Sequence, residues 1–162
     1  MKNLFFIVIL VLTSGLLDAQ ANDPEDGYAI VRSDTIYGKV KINFDSGSIL
    51  IQQDSINRMF LSDIEQVTLL NKQRETFIPI YEEGNTTFYK VLVAGDYPLL
   101  EAGELHFTLV EGNVIQISED KDLYDIFGKR DVKDYLFLRN IQIADKSGLV
   151  DVFRYFNKHE SF

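Results

Sequence analysis

The chain has 162 residues, a formal charge of −9 and no cysteine or tryptophan, with 8 tyrosines and 12 phenylalanines available to build a core. Without cysteine there is no disulfide framework, thiolate metal site, cysteine nucleophile or lipid-bearing N-terminal cysteine. The acidic balance excludes the electrostatic footprint of a nucleic-acid binder, and a chain of this length buries about two-thirds of its unfolded surface as one domain without covalent staples.

Lys2, the unbroken apolar run from Leu4 to Leu12 and the small-x-small triplet Ala19-Gln20-Ala21 have the layout of an export signal. The run is shorter than the roughly 20 apolar residues a spanning helix needs. Residues 1–21 are therefore read as a signal peptide, and the protein is expected to be exported, periplasmic or extracellular, with no integral membrane span after cleavage. Residues 22–26 are acidic, contain Pro24 and read as a disordered lead-in to a single domain over 27–162.

From Asp26 the pattern has a period of two, which puts alternate side chains on opposite faces of a strand. Ala29 and Val31 alternate with Tyr28, Ile30 and Arg32; then Ile36, Gly38, Val40, Ile42 and Phe44 alternate with Tyr37, Lys39, Lys41 and Asn43. Ser33-Asp34 lies between the runs and is a turn by composition. The domain is thus expected to open on a β-hairpin with one apolar and one basic-polar face. Asp45-Ser46-Gly47 turns the chain into a short strand, Ser48 to Gln52, and Asp54-Ser55 turns it into another, Ile56 to Leu61. Ile64 to Leu70 alternates weakly, as a strand or as a helical turn running into one. Thr76 to Tyr81 is β-branched and aromatic, but Pro79 cannot donate to a ladder, which makes this run an edge strand or a bulge. Thr86 to Val93 is the strongest β run after the first hairpin, with Thr87, Tyr89, Val91 and Val93 on one face. Leu99-Leu100 is a short apolar piece. Leu105 to Val110 and Val114 to Ile117 form a hairpin around Glu111-Gly112-Asn113.

At Ser118 the period changes. Ser118 caps a short helix, Glu119 and Asp120 suit its positive end, and Gly128 closes it. Asp131 caps a second helix carrying Val132, Tyr135 and Leu136 on one side, although Tyr135 to Ile143 also alternates and leaves a strand open there. Leu149, Val152, Phe153 and Phe156 sit at i, i+3, i+4 and i+7, one face of a last amphipathic helix. Strands first and helices last give an α+β class: a mainly antiparallel β-sheet, as a meander or a half-open barrel, followed by two or three short C-terminal helices.

Two stretches carry a resemblance. GYAIVRSDTIYGKV (residues 27–40) resembles the GY-hydrophobic-x-x-x-GDTIYGKI start of a family of small exported proteins of Bacteroidota, flavobacteria especially. Lys129 to Leu138, Asn140 to Ala144 and Leu149 to Asn157 resemble that family's lysine-rich helix, short extended link and final helix closing on YYN. The resemblance implies a fold and an exported location; it brings no activity and no catalytic residues. Arg32-Ser33 stand in the region where the family has a glycine before Asp34.

Several residue groups invite a chemical reading. His106 and His159 each lack a second histidine three to five positions away, so they read as a strand residue and a solvated tail residue, with no metal site. Glu119 to Asp122 lacks the alternation and central glycine of a calcium loop and reads as helix-start acids. Glu82, Glu83, Glu101 and Glu104 lie near loops; a pair of them facing across a cleft is what glycoside hydrolysis requires. No serine sits in a nucleophile elbow and no glycine-rich phosphate loop follows a strand. Tyr28, Tyr37, Tyr89, Tyr97 and Phe88 lie in or beside β runs, and those on the polar face form a surface for a sugar, a peptide or a protein, with Tyr37, Tyr89 and Tyr97 as the ligand-binding candidates. Their ordinary role is cross-strand pairing. Asp34-Thr35-Ile36 and Asp54-Ser55-Ile56 are similar to the acceptor sequence for O-glycosylation in exported Bacteroidota proteins, which marks Thr35 and Ser55. The expectation is a non-enzymatic cell-envelope domain, without cofactor, that binds an envelope protein or small ligand. A hydrolase acting through loop carboxylates and a structural or stress-related protein are the alternatives.

Overall fold

The computed structural model describes residues 23–82, 84–143 and 145–159. The leader read over 1–21 lies outside the described residues, as do Asn22, Glu83 and the side chain of His159.

Among the described residues ten strands form one antiparallel sheet and three helices follow, as the strands-then-helices order requires. The strands are β1 (Glu25–Val31), β2 (Asp34–Asn43), β3 (Ser48–Gln53), β4 (Ile56–Phe60), β5 (Ile64–Leu69), β6 (Glu75–Glu82), β7 (Asn85–Val93), β8 (Leu99–Ala102), β9 (Leu105–Val110) and β10 (Asn113–Ile117). The helices are α1 (Asp120–Phe127), α2 (Lys129–Arg139) and α3 (Lys146–His159). Across the sheet the order is β10-β9-β8-β7-β6-β5-β1-β2-β3-β4, and the sheet is not closed. It consists of two meanders that run in opposite directions from the β1–β5 pair.

The β4–β5 connection shows that the sheet coils. In a flat sheet β4 would lie four strand spacings from β5, about 19 Å. Phe60 and Ile64 are joined by three residues, a reach of at most about 14 Å. The corner is in β2, whose residues 34–40 pair with β1 while 39–43 pair with β3. Gly38 sits there, opposite Gly27, and a Cβ on Gly38 would lie 2.5 Å from the Gln52 carbonyl oxygen. The far end of the β2–β3 hairpin then folds over β6 and β7. The Phe44 ring stands edge-on to Phe77 at 5.8 Å and to Phe88 at 6.4 Å.

The result is two cores. Ala29, Val31, Val40, Ile42, Ile49, Ile51, Ile64, Val67, Phe77 and Phe88 fill the coiled half. Val93, Leu99 and Ile117 of the sheet meet Leu123, Phe127, Val132, Leu149, Val152, Phe153 and Phe156 of the three helices in the other. The last helix buries the stripe that its spacing marks. Phe127 stacks on Phe156 at 4.6 Å and meets Phe153 edge-on at 5.1 Å.

Several expectations need correction. Glu25 and Asp26 are not lead-in: the length of β2 lets Val40 and Lys39 pair with them. The first turn is Arg32-Ser33, one residue earlier than Ser33-Asp34; both residues have positive φ, 51° and 66°, as a two-residue hairpin turn requires. Three interactions from the β5 side hold these non-glycine residues there. Arg32 N–H donates to the Asp63 carbonyl, the Arg32 guanidinium pairs with the Asp63 carboxylate, and Ser33 N–H donates to Glu65 Oε1 at 2.8 Å. β6 is an internal strand in spite of Pro79. Its ladder with β5 stops at Phe77, so the missing N–H falls beyond it, and the Tyr81 hydroxyl bonds both Ile64 N–H and the Ile64 carbonyl at 3.0 Å. A register shift between Val91 and Val93 moves Val93 off the face of Thr87, Tyr89 and Val91. The open reading of Tyr135 to Ile143 resolves as helix through Arg139, ended by Asn140 in the left-handed conformation. α2 starts at Lys129 behind Gly128, ahead of Asp131. The cap of α1 is Glu119, and Ser118 N–H, Ser118 Oγ and Glu119 N–H all donate to the Asp122 carboxylate.

Candidate functional site

Two places gather side chains with chemical potential. The first is the seam between the cores. Directly paired residues of an antiparallel sheet share a face, so the pairs Phe77–Lys90, Lys90–Glu101 and Glu101–His106 carry one row from the first core towards the second. Glu75 lies two residues before Phe77 on that face and is ion-paired with Lys90; Asn71 donates to its second oxygen at 2.9 Å. From α3, Lys146 reaches Glu101. His106 Nε2 is 3.8 Å from the same Glu101 oxygen and, like Thr108 Oγ1, has no hydrogen-bond partner.

The seam gathers two carboxylates, two ammonium groups and an imidazole, with the charges paired as Glu75–Lys90 and Glu101–Lys146. The Lys90 ammonium, then Asn71, keeps the Glu75 carboxyl below the usual carboxylate range. A general acid near neutral pH needs its carboxyl held up instead. Of the four acids singled out in the sequence, Glu101 is in this seam. Glu82 and Glu104 are exposed at the ends of the β6–β7 and β8–β9 hairpins, and Glu83 lies outside the described residues. Among the described residues Glu82, Glu101 and Glu104 thus lie at different places, one in the seam and two at exposed hairpin ends. Among the described residues no group of three or more His, Cys, Asp or Glu gathers as metal ligands would, and no helix is long and apolar enough to cross a membrane.

The second place is the open end of the coil. β4 pairs with β3 alone and is one edge of the sheet. Ile56, Met59 and the following Leu61 are 56%, 66% and 64% exposed. Beside them a groove of about 390 Å³ runs between the end of β4 and the β1–β2 turn. Its lining is mixed: Val31, Ile36, Met59, Phe60 and Leu61 are joined by Asp34, Ser62 and the Arg32–Asp63 ion pair. The Arg32 guanidinium holds the Asp63 carboxyl below its ordinary value.

The aromatic candidates divide. Tyr37 is 61% exposed and packs against Tyr28 across the β1–β2 ladder, ring centroids 5.5 Å apart. The Tyr28 phenol is held below its ordinary value, chiefly by a hydrogen bond with Thr68 and then with Arg74. Phe88 and Tyr89 are both buried, which removes them from any binding surface: Phe88 belongs to the first core, and Tyr89 meets Phe107 edge-on at 5.2 Å. Burial pushes the Tyr89 phenol up. Tyr97 is also structural. Its ring stands edge-on to Phe127 at 5.3 Å, and its backbone N–H and C=O are both bonded by the Asn157 side chain. Thr35 is exposed within the β2 ladder opposite Ile30, and Ser55 is exposed in the β3–β4 turn.

Sequence reasoning missed the seam partners Glu75, Lys90 and Lys146 because the first two meet through strand register and the third arrives from α3. It also missed β4 as a surface, although a signal was present. In Ile56 to Leu61 apolar residues occupy both parities, Ile56 and Phe60 on one, Met59 and Leu61 on the other. A strand with one buried face must expose the surplus.

Comparison with protein-family models, with curated proteins and with solved structures finds no match.

Proposed function

We propose that this chain is a non-enzymatic binding domain of the cell envelope that holds a protein partner at the open end of its coiled sheet. The observation that carries the reading is the β4 edge: a strand paired on one side only, with Ile56, Met59 and Leu61 exposed beside a groove of mixed polar and apolar lining. Apolar side chains clustered with unpaired strand edge mark an interaction surface more often than a bare solvent face. The export-signal layout of residues 1–21 and the resemblance to exported Bacteroidota proteins support the location.

Photo-crosslinking tests it. A benzophenone side chain at position 59, in the full chain expressed in its native envelope, should capture a discrete partner, while the same probe at Leu105 should not. Equal labelling from both positions, or none from 59, contradicts the reading. Glycosylation at Thr35 or Ser55 belongs to the same proposal, since both hydroxyls are exposed. Intact mass of native protein should exceed that of the unmodified chain, and a bare mass removes it.

A further inference from the structure

The chemistry of β4 says more about its occupant, on the reading that this edge is the binding surface. Ile56, Arg58 and Phe60 pair with Gln53, Ile51 and Ile49 and so share one face; Asn57 and Met59 share the other. Arg58 is the only charged residue of β4 and is exposed, and among the described residues it has no carboxylate partner. It is a cation left open in the middle of a strand paired on one side only, in a chain whose formal charge is −9. The groove lies at the Phe60 end of the same strand.

These features disfavour a second copy. Antiparallel pairing of β4 with itself about its middle residue places Arg58 against Arg58, and like charges directly opposite are destabilising. Two chains of charge −9 also repel. An extended segment of another protein meets every feature at once. Its backbone takes up the free N–H and C=O groups of β4, and its side chains alternate between the two faces.

We propose that β4 accepts an extended polypeptide strand whose alternate side chains read apolar, acidic, apolar. The acid lies across from Arg58, one apolar side chain lies against Ile56, and the other enters the groove beside Phe60. An exposed guanidinium selects a carboxylate in either strand direction because the pattern is symmetric about it. The acid supplies specificity, and the backbone and groove supply most of the affinity.

The probe is a labelled peptide, Thr-Val-Thr-Glu-Thr-Leu-Thr, and its counterpart with Lys in place of Glu, titrated into the full chain by fluorescence anisotropy. The Glu peptide should bind about 10-fold tighter than the Lys peptide, the scale of one charge-assisted contact. Arg58→Glu, a change at an exposed side chain that leaves the fold intact by circular dichroism, should reverse the order. Met59→Pro and Arg58→Pro form a second pair. Successive N–H groups of a strand point to opposite sides, so one of the two blocks the outer edge while sparing the β3 ladder; that one should abolish binding in a folded protein. Binding of neither peptide, or binding that ignores Arg58→Glu, overturns the inference. If Met59 still crosslinks a partner in that case, the broader binding role stands and only the strand chemistry fails. Concentration-dependent dimers that dissolve on Arg58→Glu overturn it in favour of a second copy.

Discussion

The two halves of this molecule bury their apolar faces in different ways. From β7 onward the sheet is covered by three helices, and Phe127, Phe153 and Phe156 seal it with stacked and edge-on rings. From β1 to β4 no helix is present, and the sheet covers itself by coiling so that Phe44 folds over Phe77 and Phe88. A face covered by helices needs no curvature from the strands. A face covered by its own strands needs a tight corner, here Gly38, and ends in a strand with nothing beyond it, here β4. The difference places the open edge: the self-covered half is the one that ends in a strand paired on one side, with Ile56 and Met59 exposed.

The sharpest way to separate the halves is to empty one core. Phe153 is fully buried among the helices, so Phe153→Ala should cost about 3–5 kcal/mol. Hydrogen exchange should show α1–α3 losing protection first while β1–β3 keep theirs. Simultaneous loss in both halves would show one cooperative unit instead of two.

Gly38→Val attacks the corner of the other half. Its added Cβ meets backbone at 2.5 Å, and overpacking of this kind costs about 1–3 kcal/mol. Urea unfolding should show that loss, with β2–β4 amides affected before the helices. An unchanged midpoint would mean that the coil is looser than described.

The seam joins the halves, and its effect should be smaller. The Lys90 and Glu75 side chains retain 27% and 21% of their exposure, so Glu75→Gln should cost about 1–2 kcal/mol, less than for a fully buried pair. The folded pKa of Glu75 is depressed. Its stabilisation is therefore fully present above the ordinary carboxylate value and is lost as pH falls through the lowered one. The acid limb of the stability curve should be shallower in Glu75→Gln than in the parent, and identical limbs would assign the acid sensitivity elsewhere.

The smallest effect belongs to the first turn. Ser33 holds a φ of 66°, a conformation that costs about 1–2 kcal/mol for an L-residue. Ser33→Gly removes that strain at the expense of chain entropy. A gain of about 0.5 kcal/mol is expected, read as a raised Tm, and a loss would show that the Ser33 hydroxyl bond to Glu65 outweighs the strain.

Much of this architecture is legible in the residues. The alternation through Ile36, Gly38, Val40 and Ile42 gives the face that lines the first core, and the spacing of Leu149, Val152, Phe153 and Phe156 gives the helical stripe of the second. What is not legible depends on distant partners. The Arg32-Ser33 turn is held at positive φ by Asp63, just before β5, and by Glu65 of β5. Pro79 enters an internal strand because Tyr81 replaces the missing ladder bonds at Ile64. The parity of Tyr89 cannot report burial, since either face of that strand is covered. The seam depends on the exact register of the consecutive strands β6 to β9 and on Lys146 arriving from α3, whereas the surplus of apolar residues in Ile56 to Leu61 is visible and points to the open edge.

Amide exchange along Ile56 to Phe60, followed by NMR in the full chain with and without the Glu-centred peptide, tests the open edge most directly. Free, alternate amides of β4 should exchange as open groups while their neighbours, bonded to β3, stay protected. On peptide addition the open ones should become protected and the β3-bonded ones should not change. Uniform protection along β4 in the free protein would mean that this strand is already covered, and would contradict the account.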